Sequence, residues 1–572
     1  VETVAMESLR LGSSHHPIHT QSPEAQSWFD RGFAWLGAYH REEAALCFEK
    51  ASAADPGCAM AQWGIALAHG PDYNFHAGNG FLGVAAQPSG WPSLHVATRA
   101  VGKAAELAVG GPARESALIG ALAVRYEWPP TEESAALDEQ YAERMEEVAL
   151  AFPDDADVQA VAAEAIVILR PWDLYVKPCG SATPPWNAAD KELRPVGARA
   201  AALVERGLRA CPSHMWLCHL KIHLCEMGPI EHFDWQAAEL VRGTDAVDCG
   251  HLVHMPSHLD IQVGDYQRAM EGNVLAYQAD LRLHALSPER FTIYTGYVVH
   301  NMEFCAWAAM YAGAKAVALE ASKKIDSFFS HEVITATPIT AMCFEAYLTT
   351  RLMVLIRFGL WEDILREPFK EDRQLYLSHT LILHYARGIA FGARSLLDAA
   401  KAEQVAFREM LTKLQPGDRL KHNVNLKHMA DIGEPILAAE LHYREGDFES
   451  AFDALSKAVA LFDALPYDEP HGWLMSPRQA CSFAEMSMGH ACHSGLSRRI
   501  EWTLSPCTER RRGTCLSDVR RAACGAATVR SCDLDIRRGP RALPKEPMVT
   551  RRTQDLPQQN GKSSAGGCAS RA

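Results

Sequence analysis

Small residues recur at a fixed spacing along the chain, and this recurrence constrains the fold more than any other feature. In the first copy, Gly32 and Ala44 alternate with the large side chains of Trp35 and Phe48, and Pro56 closes the unit. Small residues let two antiparallel helices approach closely, large ones fill the space between them, and a proline ends the second helix. Similar spacing returns in three further segments: residues 200–212, 264–276 and 446–458. The repetition predicts an all-α, tetratricopeptide-type solenoid of helix pairs, a right-handed superhelix with a concave inner face.

Composition divides the chain into three parts. Residues 1–22 form a polar stretch that we expect to be a flexible leader, and residues 23–480 hold the helical solenoid. Residues 481–572 are rich in arginine and cysteine and lose the helical period, so we predict a disordered tail. The abrupt change near Gln479 suggests the hypothesis of a frameshifted or aberrant C-terminus.

Charge and hydropathy argue against two classes of partner. The net charge of −14 divides into −22 for residues 1–480 and +8 for residues 481–572. An acidic body argues against nucleic acid, because phosphate binding needs clustered cations. The most apolar region, residues 334–360, contains Glu345 and Arg351, so we expect no membrane span.

Nine cysteines precede the tail, and none stands in a paired Cys-x-x-Cys spacing. In a chain of this length, they are typical of reduced, buried thiols. We therefore expect a cytoplasmic location.

Histidines cluster in the middle of the chain. If the proline at position 212 ends one repeat, the next helix begins near Met215 and carries His219, His223 and Glu226. These three residues stand at i, i+4 and i+7, so they share one helix face. In tetratricopeptide repeats these positions line the concave groove. His214 lies just before the helix, at the groove end of the preceding turn.

The next two repeats add histidines to the same side. Counting back from Gly264 places His251, His254 and His258 on the groove side of the following repeat, and His300 takes the equivalent place one repeat later. We therefore predict that seven histidines converge as metal ligands: His214, His219, His223, His251, His254, His258 and His300.

Neutral imidazoles packed this closely suit a transition metal, because His-x3-His on a helix is a bidentate clamp that a second helix completes. Histidine together with a carboxylate favours zinc, copper, iron or manganese over calcium or magnesium. Glu226 would then act as a ligand or as a general base toward metal-bound water or oxygen. The alternative is a polar groove that grips a peptide without metal.

Several motifs resemble the tetratricopeptide repeat protein 38 family and its bacterial and algal relatives. They are the histidine segments 219–227 and 251–258, Gly-Pro-Asp-Tyr-Asn at 70–74, Arg-Pro-Trp-Asp-Leu-Tyr at 170–175 and Leu-Pro-Tyr-Asp-Glu-Pro at 465–470. The resemblance spans residues 23–480 and implies the helical-repeat fold, whereas it leaves the activity undefined. Two residues of these motifs are candidates for the rim of a pocket: Tyr73 as a catalytic phenol, and Asp173 as a partner for an imidazole.

Two functions are consistent with these patterns. The first is a metal-dependent enzyme that acts on a small organic substrate in the groove, with Glu226 and Tyr73 as its catalytic residues. The second is a non-enzymatic adaptor that binds a peptide or protein partner in the groove, the commonest use of this fold.

Overall fold

The structure is a computed structural model of the chain. It describes residues 8–74, 94–131, 136–176, 191–286, 295–335, 338–415 and 419–481. Apart from Cys481, the predicted tail lies outside the described residues.

The first half of the described chain is built from antiparallel helix pairs. Its α-helices are α1 (Pro23–Gly37), α2 (Arg41–Ala54), α3 (Ala59–Ala68), α4 (Leu94–Leu107), α5 (Ala113–Ala123), α6 (Leu137–Ala151), α7 (Ala156–Val167), α8 (Pro195–Ala210), α9 (Met215–Glu226), α10 (Trp235–Arg242), α11 (Gly250–His254) and α12 (Ser257–Gln262). A two-stranded antiparallel pair, β1 (Tyr175–Val176) and β2 (Glu192–Leu193), precedes α8.

The second half continues the same architecture. Its α-helices are α13 (Tyr266–Leu286), α14 (Thr295–Ala312), α15 (Lys315–Phe328), α16 (His331–Thr335), α17 (Pro338–Phe344), α18 (Thr349–Arg357), α19 (Trp361–Arg366), α20 (Leu377–Ala393), α21 (Leu397–Leu411), α22 (Leu426–Glu445) and α23 (Phe448–Asp463). A hairpin of β3 (Leu420–Lys421) and β4 (Val424–Asn425) precedes α22, and 3-10 turns occupy Ile230–His232 and Glu345–Leu348. The fold is therefore an all-α helical repeat, as predicted.

Close helix contacts explain the small residues of the repeat. A Cβ atom built on Gly32 of α1 would lie 2.7 Å from the Phe48 ring, and one built on Gly64 of α3 would lie 2.5 Å from the same ring. Phe48 itself is completely buried. The ring on α2 therefore packs directly against the backbones of the two neighbouring helices, which a larger residue at either glycine would prevent.

Glycines also form the turns between helices. Gly264 joins α12 to α13 with a φ of +80°, and Gly446 ends α22 with a φ of +84°. Residues with a Cβ rarely adopt this left-handed conformation, so glycine fixes where one helix ends and the next begins. Gly264 and Gly446 are the first residues of two of the repeated segments found in the sequence.

Helices distant in sequence also pack together, and this brings the histidine-bearing segments side by side. Helix α9 contacts α1, α7 and α12, and α11 contacts α14. The α11 and α12 segments are separated at Pro256, whose ring lacks the N–H that a continuous helix would use. The interior is therefore formed jointly by α9, α11, α12 and α14.

The described part of the predicted leader, residues 8–22, packs against the helices. Leu9 and Leu11 are buried, and Arg10 N donates a hydrogen bond to Asp248 Oδ2 at 2.8 Å. His16 is also buried and contacts Asp157.

The cysteines of the described residues are free thiols, and all but Cys211 are buried. Burial raises the pKa of the Cys218 and Cys225 thiols to about 12, so both are protonated core residues. Over the same part of the chain, none of the helices combines the length and the apolar character needed to cross a bilayer.

The glycine packing predicts opposite effects for two Gly→Ala substitutions. Gly64→Ala should lower the free energy of unfolding by about 1–3 kcal/mol, because its Cβ overlaps the Phe48 ring. Gly120→Ala, in the exposed middle of α5 with open space around it, should raise it by about 0.5–1 kcal/mol. Urea denaturation followed by circular dichroism measures both; equal effects would contradict the close packing of α2 and α3.

Candidate metal centre

Six of the predicted histidines lie together in the interior. They form two groups of three, the first triad of His219, His223 and His251 and the second triad of His254, His258 and His300. In each triad, one ring nitrogen from every histidine lies within 4.8 Å of the other two. The exposed fractions of these residues range from 0% to 4%. They therefore do not line an open groove, as the repeat positions predicted, but are enclosed.

The first triad is held by α9 and α11. The Nε2 atoms of His219 and His223 face each other at 3.0 Å. His219 Nδ1 lies 2.7 Å from the carbonyl oxygen of Gly37, the last residue of α1. Because a carbonyl oxygen only accepts, His219 carries its proton on Nδ1 and presents an Nε2 lone pair to His223.

The second triad repeats this arrangement on α11, α12 and α14. The Nε2 atoms of His254 and His258 lie 2.6 Å apart. His254 Nδ1 lies 2.7 Å from Asn273 Oδ1. The Asn273 amide donates from Nδ2 to Ser257 Oγ and to the Ala269 carbonyl, so its oxygen faces the ring. His254 therefore donates from Nδ1, and its Nε2 carries a lone pair, as in His219.

Glu226 lies behind both triads. Its Oε1 accepts from His223 Nδ1 at 2.7 Å, and its Oε2 accepts from His258 Nδ1. Glu469 Oε2 approaches His258 Nδ1 to 2.6 Å. Burial, followed by the neighbouring Glu469 carboxylate, raises the pKa of Glu226 well above its usual range. One carboxylate thus orients one histidine of each triad.

The remaining histidine of each triad has buried nitrogens without a hydrogen-bond partner in the described part of the chain. These are both ring nitrogens of His251 and Nδ1 of His300. Polar atoms buried without a partner are uncommon, because each costs about 1–3 kcal/mol. His251 and His300 therefore carry ring nitrogens to which the described part of the protein offers no hydrogen-bond partner.

The six rings form one continuous group. Ring centroids within the triads lie 4.5–5.0 Å apart, as between His254 and His258 and between His219 and His251. The shortest contacts between the triads join His251 to His254 at 5.7 Å and His223 to His258 at 5.8 Å. The two triads are thus direct neighbours.

Burial keeps five of these imidazoles neutral. It lowers the pKa of His219 to about 3, and it lowers the pKa values of His223, His251, His254 and His300 well below the usual range. Neighbouring imidazoles lower the pKa further in each case, because one charged ring would disfavour the next. Neutral imidazole is the form that binds metals.

Residues from the C-terminal end of the described chain cover the triads. This C-terminal cover comprises residues 419–425 and 465–471. His422 stacks on His300 with ring centroids 5.3 Å apart, and its Nδ1 donates to Asp468. Burial lowers the pKa of His422, but Asp468 outweighs this effect, so the pKa lies above its ordinary value. Tyr467 donates from its hydroxyl to Glu469 Oε2 at 3.1 Å.

Tyr73 and Trp172 fill the space beside the first triad. The Tyr73 ring lies 4.8 Å from the His223 ring, and its hydroxyl oxygen accepts a hydrogen bond from the Trp172 backbone N–H at 3.1 Å. Trp172 adopts a φ of +60° and packs edge-on against His223 and His422. Glu164, beneath them, accepts from Tyr39 Oη at 2.7 Å and from Tyr73 N at 3.0 Å.

Two residues singled out in the sequence, His214 and Asp173, lie elsewhere. His214 accepts the Leu217 N–H at Nδ1, where it caps α9, and its Nε2 contacts Asp157 at 3.1 Å. This places it with His16 and Asp157, in a third group of ligand-type residues apart from the triads. Asp173 pairs with Arg194 at 2.8 Å and touches no imidazole of the triads in the contacts described.

Sequence reasoning did not identify the residues of the C-terminal cover as part of the site. Glu469, His422, Asp468 and Tyr467 lie more than 160 residues beyond Glu226 or His258 in the chain, outside the histidine-bearing repeats. The signal for three of them was present in the motif at 465–470, whose aromatic and acidic residues are unusual for a connection after a helix.

Comparisons with known proteins are limited to the fold. No protein-family model matches the chain, and no curated protein matches it. Two solved structures of a human IFIT1 dimer, one with m7Gppp-AAAA and one with PPP-AAAA, are similar at TM-scores of 0.29 and 0.28. Their sequence identities are 11% and 12%, and each match covers 81% of this chain and 99% of the other. Membership of the tetratricopeptide repeat protein 38 family stays a prediction.

The expected partners require correction. Nucleic acid was excluded because residues 1–480 are acidic, yet both similar structures hold oligonucleotides. Net charge is a property of a whole surface and does not fix the charge of one face, so the exclusion was wrong. The partners expected in an open groove are withdrawn as well, because the triads are buried.

The C-terminal cover predicts the effect of a substitution at Asp468. Asp468→Asn removes the charge that holds His422, and breaking a buried pair of this kind costs about 3–5 kcal/mol. Amide hydrogen exchange of residues 465–471, measured by mass spectrometry, should therefore become faster. Asp453→Asn, an exposed change on α23, should leave it unaltered. Unchanged exchange in Asp468→Asn would show that the pair does not hold the cover in place.

Proposed function

We propose that this helical-repeat protein binds two transition-metal ions, one in each histidine triad. The observation that carries the proposal is the pairing of Nε2 atoms at 3.0 Å in the first triad and 2.6 Å in the second. Each pair belongs to rings whose Nδ1 atoms already face acceptors. The scaffold then serves to bring these rings together from helices far apart in the sequence.

The charge distribution of such a pair favours a cation between the rings. When both Nδ1 atoms carry protons, the two Nε2 atoms are lone pairs that point at each other and repel. A proton shared between them would place a charged imidazolium in a dry interior, which the lowered pKa of His219 disfavours. A metal ion relieves the repulsion, because it accepts both lone pairs at once.

The distances fit this interpretation. Imidazole binds zinc at about 2.0–2.1 Å, so two nitrogens of one tetrahedral ion lie about 3.3 Å apart. The 3.0 Å pair needs to open by about 0.3 Å and the 2.6 Å pair by about 0.7 Å to reach that value. His251 and His300 then supply the third ligand of each ion, which gives their buried nitrogens a partner.

The other polar residues orient the ligands. Glu226 engages both triads through Nδ1, so it acts from behind the rings, and Gly37 and Asn273 do the same for His219 and His254. Such partners fix the tautomer and the direction of a metal-binding imidazole. All-imidazole sets suit zinc, copper or iron among common metals. A cytoplasmic location, where the free thiols stay reduced, remains part of the proposal.

Metal analysis of purified protein should show two ions per chain. His251→Ala should lose the ion of the first triad and His300→Ala the ion of the second, so each variant retains one. His214→Ala is the matched control, because it removes a buried histidine outside the triads and should retain both ions. Inductively coupled plasma mass spectrometry after dialysis against each metal gives the stoichiometry.

The proposal fails if no metal binds to the folded wild-type protein. It also fails if His251→Ala and His214→Ala lose metal equally. Circular dichroism of each variant separates loss of metal from loss of fold.

The partners behind the rings predict a selective loss of affinity. Asn273→Leu removes the acceptor of His254 Nδ1 while filling similar volume, and loss of such a partner typically costs 10–100-fold in metal affinity. Isothermal titration with Zn²⁺ should therefore show one weakened site and one site unchanged from wild type. Equal weakening at both sites would indicate a general change in the interior instead.

A further inference from the structure

We infer that the last helices of the described chain bind an amphiphilic carboxylate, a small molecule with one carboxylate head and an apolar tail, in a cavity of about 540 Å³. This C-terminal cavity is lined by residues of α18, α19, α20, α22 and α23 and by residues 473–480. The described residues that line it include no histidine and no ligand of the triads. It is therefore a second site, separate from the proposed metal sites.

Three helices that pack side by side form much of the cavity wall. Helix α20 contacts α18 and also α22. The contact with α22 depends on Gly392 of α20, because a Cβ atom there would lie 2.8 Å from Glu440 Cγ. The three helices therefore present one continuous surface to the cavity.

The segment of residues 473–480 completes the wall and is fixed to the helices. Trp473 at its start is buried and packs edge-on against the Tyr385 ring of α20, with centroids 5.1 Å apart. Near its end, Arg478 forms an ion pair with Asp463, the last residue of α23. A ligand that enters a wall already held in place loses less of its binding free energy to ordering the protein.

The inside of the cavity is apolar. Five of its lining residues are aromatic: Trp361, Tyr385, Tyr443, Phe452 and Trp473. Aliphatic side chains, such as those of Ile389 and Leu455, fill the spaces between them. The cavity volume lies within the range of about 300–1,000 Å³ that is typical of small-molecule sites. The lining thus suits a ligand whose larger part is an apolar tail or ring system.

The charges of the lining residues do not balance. Three of these residues are charged, namely Arg357, Glu440 and Arg444. Arg444 pairs with Glu440 at 2.8 Å, whereas Arg357 pairs with no carboxylate in the part of the chain that the structure describes. The Nε atom of Arg357 donates to the Met310 carbonyl oxygen at 2.9 Å. The other N–H groups of this guanidinium remain for an anion, and one positive charge is left over.

The position of this charge matches one end of an amphiphile. Arg357 is exposed to solvent, whereas Trp473 and Tyr385 expose only 1% and 3% of their surface. A ligand that reaches both keeps its charged head at the surface, which avoids the cost of burying a charge, and covers apolar rings with its tail. A carboxylate fits the guanidinium with two parallel hydrogen bonds, and its single charge balances the one left over. A phosphate monoester would bring about −1.5 to −2 and overcompensate it.

Binding of fatty-acid anions to the full chain tests this site, with isothermal titration below the micelle concentration of each probe. Octanoate, decanoate and dodecanoate should bind with increasing affinity, by about fourfold for each added methylene, because each methylene buries more apolar surface. Dodecanol, which has the same tail without the charge, should bind about tenfold more weakly than dodecanoate.

Substitutions at Arg357 separate the head from the tail. Arg357→Met should lower the affinity for dodecanoate about tenfold and leave the affinity for dodecanol unchanged. Arg357→Lys keeps the positive charge and should retain most of the preference for the anion. Arg366→Met is the matched control, because Arg366 is an exposed residue of α19 that pairs with Asp363 and does not line the cavity.

A substitution that fills the cavity tests where the tail lies. Ala393 lines the cavity at the end of α20 and is only partly buried, so a larger side chain is accommodated there without disrupting the core. Ala393→Phe should therefore weaken dodecanoate and dodecanol alike. Circular dichroism of each variant confirms that the fold is retained.

Three outcomes would overturn the inference. The first is that folded full-length protein binds no dodecanoate, which includes the case of a cavity already filled by residues after 481. The second is that Arg357→Met and Arg366→Met lose dodecanoate affinity equally. The third is that affinity does not change with tail length or in Ala393→Phe, since binding would then lie outside the cavity. Metal binding by the triads is unaffected by any of these results.

Discussion

The interior depends on the two hydrogen bonds that the Glu226 carboxylate accepts from histidine rings. This carboxylate accepts from one histidine of each triad and so fixes the Nε2 atoms of both rings toward their own triads. A neutral side chain without two acceptor oxygens could orient only one ring or neither. Burial of the carboxylate is tolerated because ring N–H groups contact both of its oxygens, and the same burial keeps water from competing for those contacts. The rest of the interior is built around this one group.

Much of this could be predicted from the sequence, and the limits have physical causes. The spacing of Gly32, Phe48 and their counterparts gave the helix pairs, because close packing leaves few residues possible at such positions. The period of His219, His223 and Glu226 placed them on one face, because an α-helix repeats every 3.6 residues. Six of the seven predicted histidines do meet. The exception, His214, lies just outside its helix, where capping determines the direction of the side chain.

Enclosure of the site was not predictable from local pattern. Periodicity shows which face of a helix carries polar groups, but not which distant segment lies on that face. Glu469 and His422 reach the triads through contacts between residues far apart in sequence, and such contacts leave no periodic signal. The open groove expected for tetratricopeptide repeats was therefore replaced by a buried centre. The exclusion of nucleic acid from the net charge failed for a related reason, since net charge averages over surfaces whose local charges differ.

The hydrogen bond from His219 to the carbonyl of Gly37 has a consequence for how the protein is made. The centre needs a residue of the first helix, histidines from the middle of the chain and a carboxylate at position 469. A nascent chain still on the ribosome displays the histidines well before Glu469 has been synthesised. During that interval the imidazoles are uncovered and can bind any available ion with few constraints. If the triads bind metal as proposed, insertion of the correct ion belongs to the period after translation has passed the C-terminal cover.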